Sequence, residues 1–327
     1  MNILVTGAAG YIGSVLTEEL VKEKYSVIAL DTLERGHIEA VHPSAIFIQV
    51  DINDESKLAD VFSKYKIDTV MHLAAAIQVP ESIVNPEKYF RYNVLYPLSM
   101  LRVMLKFDVK RMIFSSTAAV YGNPVGIPVK ENDPTIPVNP YGESKLMFEN
   151  ILKWYAQAYD LSYIALRYFN AAGASQNYGC DHENETLLIP NLLRVALGQI
   201  ESVNIFGTDY ETDDGTCIRD YIDVRDLARA HIMSMKYLEH GRTARVYNLG
   251  NGKGYSVLEV LKVARKVTGH AIPSVEFPRR AGDPPRLVAS SQLAKVELGW
   301  EPVYNTLESI IESAWNWQKK HPNGYRG

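Results

Sequence analysis

The stretch Asn2-Ile-Leu-Val-Thr-Gly7-Ala-Ala-Gly10-Tyr-Ile-Gly13 runs from a short apolar segment through three spaced glycines into a longer amphipathic one. A glycine-rich turn between a strand and a helix lets backbone N–H groups approach a phosphate, which also meets the positive end of the helix. Glycines alone are weak grounds, because many strand-to-helix turns need positive φ. Here the context adds weight: Asp31 closes the next apolar run roughly 20 residues further on. A carboxylate at that point accepts from both hydroxyls of an adenosine ribose and repels a 2′-phosphate. No arginine directly follows Asp31, although Arg35 is near, so NAD is expected rather than NADP.

Outward from this turn, short apolar runs alternate with helical patterns. Strands are expected at 3–6, 26–31, 46–51, 69–74, 111–117 and 162–167, and helices at 11–24, 55–66, 80–107 and 140–159. The strands are continuous apolar runs, as when both faces of a parallel sheet are covered. This rhythm predicts an α/β fold, a doubly wound parallel (Rossmann) sheet over 1–170 that binds NAD. After Phe169 the rhythm breaks into a loop rich in Ala, Gly, Asn and acidic residues. Strands at 203–206, 245–249 and 275–279 and helices at 188–197, 224–239, 257–267 and 307–320 follow with irregular spacing. They predict a second, smaller α/β substrate domain over 171–327, of which about 219–250 packs back on the first. The crevice between the two is the expected ligand site.

The 327 residues are 46% hydrophobic and 22% charged, with a net charge of −4. That composition fits a soluble enzyme and speaks against a general nucleic-acid or membrane surface. The opening lacks the basic segment of a signal peptide, and no run approaches the ~18 apolar residues of a membrane span. Cys180 and Cys217 form no metal or redox spacing, so no metal is expected and a reducing, cytoplasmic setting is. Asn184-Glu185-Thr186 reads as a glycosylation sequon, accidental in that setting.

Further along, Asp51-Ile52 ends the third strand, either within reach of an adenine or with the carboxylate capping the next helix. Ala74-Ala75-Ala76 ends the fourth, where small residues suit either a backbone passing close to the cofactor or tight helix packing. Tyr141 and Lys145 are four residues apart, on one face of a helix that Asn139-Pro140 would start. Chance alone supplies such a pair in a chain with 20 tyrosines. It gains meaning from the fold, since a free tyrosine titrates near ~10 and a neighbouring ammonium would bring it into a useful range.

Together the glycine spacing, Asp31-x-Leu33…Gly36-His37, Asp51-Ile52, His72-Leu-Ala-Ala75, Ser115-Ser-Thr-Ala-Ala-Val-Tyr-Gly122, Tyr141-Gly-Glu-Ser-Lys145, Arg167-Tyr-Phe-Asn170, Arg219-Asp-Tyr221 and Tyr247-Asn-Leu-Gly250 carry a resemblance. The chain resembles the extended short-chain dehydrogenase/reductases, and within them the UDP-glucose 4-epimerase family, from Ile3 to about Trp317. The resemblance implies reversible inversion of C4 of a UDP-hexose with NAD as cofactor, in a homodimer paired through the helices at 80–107 and 140–159. It implies Tyr141 as acid/base, Lys145 as the group that lowers its pKa and holds the nicotinamide ribose, and Thr117 as partner of the sugar O4.

For the cofactor the resemblance implies Gly7, Gly10, Tyr11, Ile12, Gly13, Asp31, Asp51, Ile52, Leu73, Ala74, Ala75 and Asn93, with Tyr141 and Lys145. Phe169 packs on the nicotinamide or is simply core. For the UDP-sugar it implies Asn170, Leu188, Asn204, Ile205, Phe206, Arg219, Arg280 and Asp283, the arginines suiting a diphosphate through their forked donors. Leu287 stands where the family sets room at the sugar's C2. The chain departs from the family pattern at Ala8-Ala9, Val15, Thr32, 76–78 and 95–97. Alternatives are 4-epimerases of UDP-GlcNAc, UDP-glucuronate or a UDP-pentose, and a non-catalytic NAD sensor. Ala118 and Ala119 after Thr117 disfavour a dehydratase, which needs acidic residues there.

Overall fold

The computed structural model describes residues 1–183, 185–241, 243–280 and 283–326, with the side chain of Arg326 excepted; the sequon's Asn184 lies outside them. The first half contains β1 (Asn2–Thr6), α1 (Tyr11–Lys22), β2 (Ser26–Asp31), β3 (Ile46–Gln49), α2 (Glu55–Tyr65), β4 (Thr69–His72), α3 (Val79–Val84), α4 (Pro86–Phe90), α5 (Tyr96–Lys106), β5 (Arg111–Thr117), α6 (Pro140–Tyr159) and β6 (Ser162–Tyr168). The second contains β7 (Asn170–Ala172), α7 (Leu188–Ala196), β8 (Val203–Phe206), β9 (Ile218–Asp223), α8 (Val224–Leu238), β10 (Ala244–Leu249), β11 (Gly254–Ser256), α9 (Val257–Thr268), β12 (Ser274–Phe277), β13 (Arg286–Leu287), α10 (Gln292–Leu298) and α11 (Leu307–Lys320).

Seven strands form one parallel sheet in the order β10-β6-β5-β4-β1-β2-β3. The chain builds outward from β1 through β2 to β3, then returns to lay β4 on the other side of β1. The direction reverses at β1, so the carboxyl ends of β1 and β4 lie at the switch point where sheets of this kind bind nucleotides. Leu16 and Leu20 of α1 pack with Val224 and Leu227 of α8 on one face of the sheet. Leu58 and Phe62 of α2, Leu101 of α5 and Phe148 of α6 cover the other. Burying both faces this way is what makes the strands continuous apolar runs.

The single helix expected over 80–107 is instead α3, α4, a π-helical turn at Arg91–Leu95 and α5. Two prolines explain it. Pro86 starts a new helix behind Asn85, whose side chain accepts from Lys88 N. Pro97 has no N–H for the carbonyl of Asn93, so Tyr96 N reaches back to Arg91 O and the turn widens. The strands expected at 46–51, 69–74 and 275–279 are shorter, ending at Gln49, His72 and Phe277.

β10 pairs with β6 at the edge of the large sheet, and residues of α8 pack with those of α1 on one of its faces. The remaining strands form small sheets. β9 pairs with β7 and β13 in parallel and with β11 antiparallel, while β8 pairs with β12. Their own core joins Ile189 and Leu193 of α7, Val260 of α9 and Ile310 of α11.

Candidate active site

The phosphate loop is shaped by steric exclusion. Gly7 has φ +70°, and a Cβ there would lie 2.7 Å from Ala74 N, in the loop after β4. A Cβ on Gly13 would lie 2.0 Å from Gly7 O, so this position must be bare for α1 to start against the loop. Gly10 is the N-cap and has no side chain to satisfy the first-turn amides, which leaves them for an anion. Tyr11 turns its side chain away, donating to Gly173 O at 2.6 Å, so only its backbone and that of Ile12 face the loop side.

Asp31 stands where the ribose reading requires. Its Oδ2 accepts from Ala9 N (3.0 Å) and Oδ1 from Leu33 N (2.9 Å), fixing the carboxylate beside the glycine loop. Each oxygen keeps a lone pair for a ribose hydroxyl. Arg35 is engaged with Glu81 at 3.5 Å and does not offer itself to a 2′-phosphate. Leu73 N donates to Thr6 O, and Ala74 N to Thr6 Oγ1, which holds the small residues of the β4 loop against β1. These features fit a dinucleotide: the bare turn, the uncapped helix start and the fixed carboxylate.

Other residues assigned to the cofactor also make contacts within the protein. Asn93 is buried, with Oδ1 accepting from Ala76 N (2.9 Å) and Nδ2 donating to Ala76 O and Ser144 Oγ (both 3.0 Å). Its side chain ties the β4 loop to α6. Asp51 is exposed and holds Asn53 N at 2.8 Å, while the cap of α2 is Asp54, accepting from Lys57 N. Ile52 is buried in the sheet core. Phe169 packs with Ala118, Val120, Tyr121 and Leu287, which is core packing at the strand ends.

At the carboxyl end of β5 the catalytic candidates meet. Asn139 caps α6, its Oδ1 accepting from Gly142 N at 2.8 Å, and Pro140 occupies the first turn. The cap fixes the turn that carries Tyr141 and aims Lys145 inward. Lys145 is buried and donates to Ser115 O at 2.9 Å, with Nζ 4.9 Å from the centre of the Phe114 ring. Thr117 Oγ1 accepts from Ala119 N at 3.1 Å and lies beside the Tyr141 phenol, whose ring meets that of Tyr89 in a T-shaped contact, centroids 6.3 Å apart.

Electrostatically the pair departs from expectation. Burial raises the Tyr141 pKa and the Thr117 hydroxyl lowers it. Burial drives Lys145 down to about 7, against an upward pull from Glu149. Burial thus opposes both charged forms, the ammonium of Lys145 and the phenolate of Tyr141, and each needs a partner brought by the bound ligands to persist. Glu149 is a residue that sequence reasoning missed. It lies two turns beyond Tyr141 on the same face of α6, a spacing legible in the sequence. Its carboxylate is shared with Arg167, at 3.0 Å to Nε and 2.6 Å to Nη2, which limits its support of Lys145.

The substrate candidates form a second corner. Arg280 stacks over Phe206, 4.0 Å from ring centre, and Asp283 N donates to Arg280 O at 3.4 Å. Asp283 Oδ1 lies 3.3 Å from Arg219 Nη2. Arg219 Nη1 donates to Ile218 O (2.9 Å) and Pro284 O (2.8 Å), while buried Nη2 has no hydrogen-bond partner among the described residues. A buried guanidinium nitrogen with donors to spare is suited to an anion. On β8, Asn204 is exposed and Phe206 half-buried, whereas Ile205 points into the core, as strand alternation requires. Leu188 begins α7, and Asn170 begins β7 directly after Phe169. Leu287 joins the two corners: it pairs with Arg219 across β13 and β9 and packs with Ala118 and Phe169 behind Thr117.

Residues 3–250 match the model of the NAD dependent epimerase/dehydratase family. The chain belongs to that family. Within it, the chain is 53% identical over 327 residues to a UDP-glucose 4-epimerase of Halalkalibacterium halodurans, covering 99% of this chain and 98% of the relative. A crystal structure of UDP-glucose 4-epimerase superposes with a TM-score of 0.97 at 50% identity over 99% of both chains. The enzyme of that name from Brucella ovis, solved in complex with NAD, superposes at 0.93 with 42% identity over 96% of this chain and 97% of that one. The family's NAD dependence accords with the fixed Asp31 and the engaged Arg35. No helix among the described residues is long and apolar enough to cross a membrane.

Proposed function

We propose that this chain is a UDP-glucose 4-epimerase, interconverting UDP-glucose and UDP-galactose through a 4-keto sugar. One observation carries the reading: Leu287 links the spare donor of Arg219 to the Thr117–Tyr141–Lys145 corner, so a diphosphate at one end places a sugar at the other. When bound, NAD supplies an acceptor that takes a hydride from carbon and gives it back. The residues supply the rest. Tyr141 accepts the O4 proton as the C4 hydrogen leaves with its electron pair, and returns it when hydride is delivered to the opposite face. Thr117 holds O4 and the phenol in one hydrogen-bonded line, which shortens the proton's path. Lys145 serves as a cation by keeping its proton beside bound substrate, which burial alone opposes.

On the same reading 1–170 holds the cofactor and 171–327 the nucleotide sugar, apart from α8 and β10. Phe206 and Arg280 flank the uracil, and Asn204 and Asp283 take its polar edge and ribose. Exposed Leu95, Met147 and Trp154 on the π turn and α6 form the apolar face of a homodimer. Leucine at 287 admits a hexose and bears on the space at C2. Turnover of UDP-galactose should therefore exceed that of UDP-GlcNAc, UDP-glucuronate and UDP-pentoses when all are compared side by side. Faster turnover of any of those would reassign the substrate, and no turnover of any would sink the reading.

A further inference from the structure

Cys180, His182 and Glu185 converge in the loop between β7 and α7. Cys180 Sγ lies 3.5 Å from His182 Nδ1 and 3.2 Å from Glu185 Oε2, and the last two atoms are 3.4 Å apart. Three protein ligands of a tetrahedral zinc ion, at the usual Zn–S, Zn–N and Zn–O lengths, lie about 3.4–3.6 Å from one another. The triangle thus has nearly the dimensions of a metal site before any metal is added.

Its corners are also held from outside. Glu185 Oε1 accepts from Leu187 N at 2.6 Å, which turns Oε2 toward the thiol. Gly179 N donates to the Tyr325 hydroxyl (3.0 Å), and Asp181 Oδ2 accepts from Tyr325 N (2.9 Å) and faces His37 Nε2 (3.3 Å). The backbone on both sides of Cys180 is therefore anchored, and Asp181 is directed away from the cluster. Cys180 also lines a cavity of about 10 Å³ with Tyr11 and Gly173, room for about one water.

We propose that Cys180, His182 and Glu185 bind one zinc ion that clamps the 173–187 loop beside the start of α1. A thiolate, an imidazole and a carboxylate suit zinc, and the sulfur disfavours magnesium and calcium. Binding replaces the thiol proton, which goes to solvent, and changes no oxidation state. The His182 ring stands edge-on to Tyr11, whose hydroxyl already holds Gly173, so the metal would reinforce an existing contact between loop and helix. Cysteine spacing did not reveal the site, because its ligands are three residue types in Cys-x-His-x-x-Glu.

The test loads the full-length protein with cobalt(II) as an optical probe and titrates it with zinc in competition. The expected result is one equivalent of metal, a thiolate-to-cobalt charge-transfer band and the visible bands of a tetrahedral site. Cys180→Ser should lose the charge-transfer band and bind about tenfold more weakly or worse, as should His182→Gln, while Cys217→Ser should behave as the native protein. Circular dichroism checks that each variant is folded. If Cys180→Ser fails to fold, His182→Gln decides. Absence of the charge-transfer band in the native protein, or affinity unchanged in either ligand variant, overturns the proposal.

Discussion

The catalytic corner and the nucleotide corner are built differently. Thr117, Tyr141 and Lys145 sit at the end of a central strand and the capped start of a 20-residue helix, with Lys145 and Thr117 buried. Phe206, Arg280 and Asp283 lie on or beside two- to four-residue strands, and all three are at least partly exposed. Reacting atoms need a fixed geometry, and long elements with buried faces give it. A nucleotide needs only enough contacts, and short edge strands supply those. Arg219 is the exception, a buried cation within the more open corner.

If this contrast is right, changes in the rigid corner should affect rate or fold, and changes in the open corner should affect binding. The largest effect is expected from Tyr141→Phe, which removes the proton acceptor and little packing. Its kcat should fall by about 10²–10⁴-fold with the unfolding midpoint unchanged, as steady-state kinetics and thermal unfolding would show. Equal loss in KM and none in kcat would move Tyr141 out of the chemistry.

Glu149→Gln attacks the support beneath the corner. It leaves the buried Arg167 guanidinium without its carboxylate, so stability should drop by about 3–5 kcal/mol in denaturant titrations. A loss under about 1 kcal/mol would mean that Tyr121 and the Glu131 carbonyl, which also accept from Arg167, suffice.

How legible these corners were in the sequence follows the same division. The large sheet could be read because Gly7–Gly13, the buried runs and Asp31 each restrict the backbone locally. The pair at Tyr141 and Lys145 could be read because helix spacing places both on one face. The charge state of the pair could not, since it depends on burial that only the assembled fold creates. Strand alternation turns Ile205 opposite to Asn204 and Phe206, and Pro97 forbids one unbroken helix, both legible in the sequence. β7, β9, β11 and β13 escaped because two to six residues paired across distant segments leave no period to detect. Asn93 escaped because its role is defined by Ala76 and Ser144, brought to it from two other segments.

In the open corner, Arg219→Leu should raise KM for UDP-galactose and lower kcat/KM by about 10–100-fold, the loss of one charged hydrogen-bonding group, with kcat nearly kept. A fall in kcat of the same size would show that this arginine aligns the sugar as well as holding the diphosphate. The smallest expected effect returns to Lys145. Its folded pKa of about 7 lies below the ordinary 10.5, so the unfolded chain binds more protons between those values and stability rises with pH across that window. The contribution is at most about 1.4 kcal/mol per pH unit, and Lys145→Met should remove it from the pH dependence of the unfolding free energy. An unchanged slope would place the lysine charge in contact with solvent.

The central claim, that hydride leaves and returns within one site, is tested most directly with UDP-galactose carrying deuterium at C4. UDP-glucose that retains the deuterium at C4 is expected when the reaction runs in ordinary water. UDP-glucose that has exchanged this deuterium for solvent hydrogen, or no UDP-glucose at all, would contradict it.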